Sequence, residues 1–210
     1  MAKSSPFPTL DREHVLWSQG IQRLAALDEV GRGAWAGCVA VAALLFAPDL
    51  DPEQLRGVHD SKQLTRRQRE QLLPAIQACV VRFALGTATP QEIDRLNIRR
   101  ATALAMQRAL RQLGEVDHVL LDGLPMPELT IPQTAVVKGD AQCLSIAAAS
   151  VVAKVNRDAW MRCLDRRYPG YGWSTNVGYG TAEHRRALQE LGLTRHHRRR
   201  FVPLADLGLA

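Results

Sequence analysis

Residues 24–46 read LAALDEVGRGAWAGCVAVAALLF, two apolar runs joined by a short glycine-rich connection. Leu24 to Leu27 and Val39 to Phe46 have the length and aliphatic content of buried strands, and Gly31 and Gly33 break the extended backbone between them. Asp28 and Glu29 close the first run, and Arg32 stands between the two glycines almost at once. Acids repel phosphate and a cationic glycine turn attracts it, so a loop that holds both calls for a cation beside the acids.

Outward from this stretch, strand candidates recur at 80–85, 119–121 and 134–137, separated by amphipathic segments. That alternation predicts an α/β fold in one main unit, and no internal repeat or linker interrupts it. A chain of 210 residues, 46% apolar and 23% charged, suits one domain with a substantial core. The formal charge of +6 points to a polyanionic partner, although a merely solvated surface gives the same balance. Cys38, Cys79, Cys143 and Cys163 are scattered, with no CxxC and no histidine at ligand spacing. Reduced thiols of a cytoplasmic protein are therefore expected, and a zinc site is not. No segment reaches the roughly 20 uninterrupted apolar residues of a membrane span, so no membrane is expected as a partner.

Helix starts are well marked. Thr65 with Gln68 and Thr89 with Glu92 have capping-box spacing, and Pro90 takes a first-turn position where its missing N–H is harmless. They predict helices at 65–78 and 89–113; in the second, Leu96, Ala103, Met106, Leu110 and Leu113 form one face interrupted only by Arg99. A third helix, 145–167, carries the small residues Ala147, Ala148 and Ala149, which allow close approach to a sheet. A fourth, 181–191, ends at Gly192. Between these two lies the turn-rich loop YPGYGWSTNVGYGT, with Tyr171, Trp173 and Tyr179.

Asp28 follows LAAL and Asp122 follows HVLL. If these runs are neighbouring parallel strands, both carboxylates leave the same sheet edge, where open α/β folds place their ligands. Taken singly, each acid is equally at home in a turn. Glu29 shares the site only if the strand ends after Asp28, because consecutive strand residues face opposite ways. Asp158, on the alanine-rich helix, is a fourth acid beside Arg157, and spacing leaves a solvent-exposed role open. Four such oxygen donors would suit a pair of Mg²⁺ or Mn²⁺ ions, the arrangement used for in-line phosphodiester cleavage.

With these residues set out, the chain from about Leu24 to Pro203 resembles bacterial ribonuclease HII. The likeness is carried by LDEVGRGAWAG, DSKQLTRRQRE from Asp60, EIDRLNIRRATALAMQRAL from Glu92, VLLDG from Val119 and VKGDAQCLSIAAASVVAKVNRD from Val137. YPGYGW, GYGT with His184, and HRRRFVP from His197 extend it in the same order. The resemblance implies a ribonuclease H-like fold: a mixed central sheet flanked by helices, with a helical C-terminal extension. It also implies cleavage of RNA in RNA–DNA hybrids and at single ribonucleotides embedded in duplex DNA, leaving 3′-hydroxyl and 5′-phosphate ends. By position, Asp28, Glu29, Asp122 and Asp158 become the metal-binding and catalytic carboxylates for Mn²⁺ or Mg²⁺. Gly31, Arg32, Gly33 and Tyr179 become the readers of the ribonucleotide at a junction, and Lys62 and Lys138 contact the backbone. A single domain over 1–210 is expected, monomeric, with residues 1–20 as an N-terminal extension and 168–210 as a substrate-contacting loop and helical region.

The chain departs from the family pattern at Ala34, Cys38, Leu124, Val177 and Arg200, none of them a proposed ligand. Two other readings stand beside this one. Ribonuclease HIII carries a further N-terminal domain for which the segment before Leu24 is short. A non-catalytic duplex-binding module on the same fold would gain nothing from acids beside phosphate.

Overall fold

The computed structural model describes residues 7–203. Its centre is a five-stranded sheet in the order β3-β2-β1-β4-β5, formed by β1 (Leu24–Val30), β2 (Val39–Phe46), β3 (Arg82–Ala88), β4 (His118–Asp122) and β5 (Gln133–Val136). β1, β2 and β3 pair antiparallel through the glycine connection and its successor, whereas β4 and β5 run parallel to β1. The α/β reading therefore holds as a mixed sheet, and the parallel pairing of β1 with β4 is the one the acids required.

Seven helices lie among the described residues: α1 (Asp11–Ser18), α2 (Arg66–Cys79), α3 (Pro90–Leu96), α4 (Ile98–Leu113), α5 (Leu144–Arg167), α6 (Trp173–Asn176) and α7 (Ala182–Leu191). Both capping boxes form, at Thr65 and Thr89. The single helix expected over 89–113 is two, because Asn97 takes φ 68°, ending α3 and capping α4 through its side chain. α1 lacks a sequence cap, and no helix is foreseen there; burial of Leu16 and Trp17 and of the Glu13 carboxyl fixes it instead. Glu13 accepts from the backbone N–H of Ser145, taking a first-turn donor of α5 that no local cap satisfies. Among the described residues no helix is long and apolar enough to cross a membrane.

Side chains alternate across the sheet. Leu24 and Ala26 of β1 with Leu120 of β4 pack against Ala147, Ala148 and Ala149 of α5, and Ala25 and Leu27 with Leu121 pack against α4. The alanines bring α5 close to the sheet, as their size requires. Gly86 does the same on the other face, since a Cβ there would strike the backbone of Ala105 and Ala109 in α4. A third cluster, Ala36, Met161, Tyr171, Trp173 and Leu188, joins the loop after β1 to the C-terminal helices.

Candidate active site

β1 and β4 are in parallel register to Leu27 and Leu121, so Asp28 and Asp122 come level at the C-terminal edge of the sheet. By the alternation of each strand, both carboxyls face the α5 side. The strand does not end after Asp28, as sharing the site would have required: β1 continues to Val30, with Glu29 paired to Val41. Glu29 accordingly faces the α4 side, where it lines a cleft of about 310 Å³ with Asp122, Arg32, Arg99 and Met106. The site thus wraps around the sheet edge.

Asp28 is 6% exposed, and its carboxyl is pushed well above the usual range, first by burial and then by Glu29, Asp122 and Asp140. Burial also raises Glu29, against the pull of Arg32, whose Nη1 lies 3.0 Å from Oε1. Asp122 is raised by burial and then by Asp140, although its Oδ1 accepts from the Gly139 N–H at 2.6 Å. Carboxyls that raise one another in this way are held close without enough positive charge between them.

A further acid, Asp140, acts on Asp28 and Asp122. Asp158 sits on α5 with Lys154 Nζ at 2.8 Å and Arg69 at 4.0 Å. Asp140 follows β5 on a turn (Gly139–Ala141) and is 5% exposed, with Lys62 Nζ at 3.1 Å. A signal for it was present: Asp28 and Asp122 each end an apolar run, and Asp140 follows TAVV after two turn residues, which concealed the parallel.

The connection between β1 and β2 is held from behind by two buried arginines. Arg198 donates to the carbonyls of Gly31, Arg32 and Gly37, and Arg157 donates to those of Ala36, Cys38 and Val177. Gly31 has φ 85°, and a Cβ on it would collide with the Arg157 guanidinium. Gly33 is exposed, and the nearest atom to a Cβ there would be Cε1 of Tyr179 at 3.9 Å. Gly31, Arg32, Gly33 and Tyr179 are therefore neighbours. Lys62 approaches the acids, whereas Lys138 is exposed in a left-handed turn conformation. The sequence singles out neither buried arginine: Arg157 reads as the neighbour of Asp158, and Arg198 lies in the segment HRRRFVP.

All four cysteines are free thiols, with no disulfide. Among the described residues, no group of three or more His, Cys, Asp or Glu forms a ready-made metal cage. The acids are gathered but engaged elsewhere, Glu29 by Arg32 and Asp122 by the Gly139 amide. Their chemistry still fits a hard divalent cation: oxygen donors only, largely buried, and mutually repelling.

The family model for ribonuclease HII matches residues 25–203. The chain belongs to the ribonuclease HII family. It is a ribonuclease H endonuclease acting on RNA–DNA hybrids. The ribonuclease HII of Synechococcus sp. (strain JA-3-3Ab) is 58% identical over 95% of this chain and 90% of its own length. The crystal structure of ribonuclease H2 from Pyrococcus horikoshii OT3 superposes with a TM-score of 0.77 at 26% identity, covering 89% of this chain and 97% of that one. Bst ribonuclease HIII in complex with Mn²⁺ shares the fold, with a TM-score of 0.69 at 22% identity over 91% of this chain and 71% of that one. Against these ribonuclease HII relatives, the reading as a non-catalytic duplex-binding module falls away.

Proposed function

We propose that Asp28, Glu29, Asp122 and Asp140 form the hydrolytic centre and hold two divalent cations, Mn²⁺ or Mg²⁺, for cleavage 5′ to a ribonucleotide in a hybrid or embedded singly in duplex DNA. The observation that carries this is the level placement of Asp28 and Asp122 on neighbouring parallel strands, with Asp140 acting on both. When bound, the cations supply an activated water and stabilise charge on the departing 3′ oxygen, giving 3′-hydroxyl and 5′-phosphate ends. The protein's part is to hold the donors. The Gly139 amide fixes the Asp122 carboxylate, Lys62 orients Asp140, and Arg32 holds Glu29.

Selection belongs to the adjoining loop. The 2′-hydroxyl both donates and accepts, and backbone groups at Gly31 to Gly33 reach it where side chains would collide. Tyr179, 38% exposed beside Gly33, offers a ring to the neighbouring deoxynucleotide. Lys62 and Lys138 supply backbone contacts. The chain works as one domain and as a monomer in this reading.

The test offers wild type and Asp122→Asn a duplex with one ribonucleotide, with Mn²⁺ and with Mg²⁺. Cleavage 5′ to the ribonucleotide by wild type alone is the expected result; an uncut strand under both metals overturns the reading.

A further inference from the structure

Arg99 is the one basic interruption of the apolar face of α4, and the mechanism above does not use it. It lies at the α3–α4 break, in the first turn of α4, and its side chain is 56% exposed. It lines the same cleft as Glu29, Asp122 and Arg32. Arg32 is engaged by Glu29, whereas Arg99 has only a long approach, 3.5 Å, to Glu128 Oε2, an oxygen that accepts no hydrogen bond. Its guanidinium is therefore available to a ligand in the cleft.

The cleft also carries an apolar surface. Leu124, Pro125 and Met126 follow Asp122 and Gly123 directly, and Leu124 is 72% exposed. The backbone on either side of it is held: Gly123 N–H donates to the Val136 carbonyl, and Met126 exchanges two hydrogen bonds with the Gln133 side chain. Leu124 and the neighbouring Pro125 thus form an exposed apolar surface on the rim of a polar site. At about 310 Å³ the cleft lies at the small end of ligand sites, which run from ~300 to ~1,000 Å³. A guanidinium and an apolar surface in one cleft match a nucleotide, which carries a phosphate on one side and a sugar and base on the other.

We propose that Arg99 and Leu124 form a nucleotide subsite flanking the hydrolytic centre, in which Arg99 pairs with a phosphate of the substrate strand and Leu124 packs on its sugar and base. The subsite rests on the carboxylates being the hydrolytic centre. Neither residue touches the reacting atoms; both position the strand.

The test measures cleavage of a hybrid duplex by wild type, Arg99→Ala, Arg99→Lys and Leu124→Ala, and binding of the same duplex across a salt series in the Asp122→Asn background. In Arg99→Ala the loss falls on KM, about five- to tenfold, and the slope of log Kd against log salt shrinks by about one. Arg99→Lys restores the slope. Leu124→Ala raises KM about threefold with the slope unchanged, since its contact carries no charge. Thermal unfolding of both alanine variants within a few degrees of wild type shows that they fold. A wild-type KM and salt slope in Arg99→Ala overturn the subsite while cleavage by wild type leaves the hydrolytic centre standing; absence of cleavage by wild type removes the centre itself.

Discussion

Arg198 donates from Nη2 to the carbonyl of Gly31 at 2.7 Å, from a position with no solvent exposure. The same guanidinium also holds the Arg32 and Gly37 carbonyls, so one side chain from the C-terminal segment sets the shape of the loop that leaves β1. Burial, more than the adjacent Arg157, depresses it to about 10, which leaves it charged at neutral pH. Arg198→Ala removes the side-chain donor from three carbonyls, of which that of Gly31 keeps the Ala34 N–H, and is expected to lower Tm by about 10 °C, a loss of several kcal/mol. Calorimetry on the purified variant checks this; a melting temperature equal to wild type would show that the loop holds itself.

Gly31 and Gly33 need their missing side chains for different reasons. At Gly31 the positive φ and the Arg157 guanidinium both exclude a Cβ, so Gly31→Ala loses stability and activity together. At Gly33 a Cβ meets only ordinary contact with Tyr179. Gly33→Ala is therefore expected to melt within about 2 °C of wild type while losing cleavage at an embedded ribonucleotide. Equal losses of stability in the two variants would erase the distinction.

How much of this was legible follows from where each signal lies. The strands around the opening stretch, both capping boxes and the pairing of Asp28 with Asp122 depend on local pattern and on one register; the sequence shows the pattern, and the structure supplies the register. β1 overruns its expected end by three residues because β2 is long enough to keep pairing with it to Val30. Asn97 splits the predicted long helix through a backbone angle that no apolar period reports. Asp140 is hard to read from the sequence because turn residues separate it from its strand, and α5 brings Asp158 to Lys154 and Arg69. Arg157 and Arg198 were illegible as loop anchors, since a buried arginine and a solvated one have the same sequence.

The choice between the two aspartates is open to direct measurement. Asp140→Asn removes charge next to Asp28 and Asp122 and is expected to lower kcat by about 100-fold or more. Asp158→Asn breaks a largely buried ion pair with Lys154 and is expected to change kcat by less than about threefold, with a stability loss of about 3 kcal/mol. Single-turnover cleavage by the two variants decides; the opposite ranking restores Asp158 to the site.

Acid sensitivity arises away from the carboxylates. Trp173 Nε1 can only donate to His184 Nε2, so His197 Nε2 carries the proton that it shares with His184 at 3.1 Å, and His197 Nδ1 accepts from the Thr194 amide. Both rings are thus neutral in the fold, and burial together with His184 lowers His197 to about 3. The unfolded chain binds protons near pH 6.5 that the folded one refuses, so this network's stability is full above that pH and is lost as pH falls toward 3. The carboxyl cluster opposes the trend, because raised pKa values stabilise the fold on acidification. In an Asp28→Asn background, urea midpoints are expected to fall from pH 7 to pH 5, and less steeply once His197→Gln is added. A midpoint that rises over this range would contradict the neutral pairing.

Asp28 itself carries a cost to folding that a cation relieves. Its carboxyl is buried, and Glu29, Asp122 and Asp140 oppose its ionisation, with Lys62 as the cation that acts on it. At neutral pH, Asp28→Asn removes that repulsion and keeps the shape, so the metal-free variant is expected to be about 1–3 kcal/mol more stable than wild type, or about 2–10 °C in Tm. Its activity is lost with the ligand. Added Mn²⁺ shifts the order toward wild type: wild type gains by binding, at 1,000 times the dissociation constant by about 4.1 kcal/mol, and the variant, lacking one donor, gains less. Chelator returns wild type to its lower melting point. Melting curves with and without Mn²⁺ therefore test the site without reference to cleavage, and a wild type that is more stable than Asp28→Asn in chelator would show that the acids are already compensated by the protein.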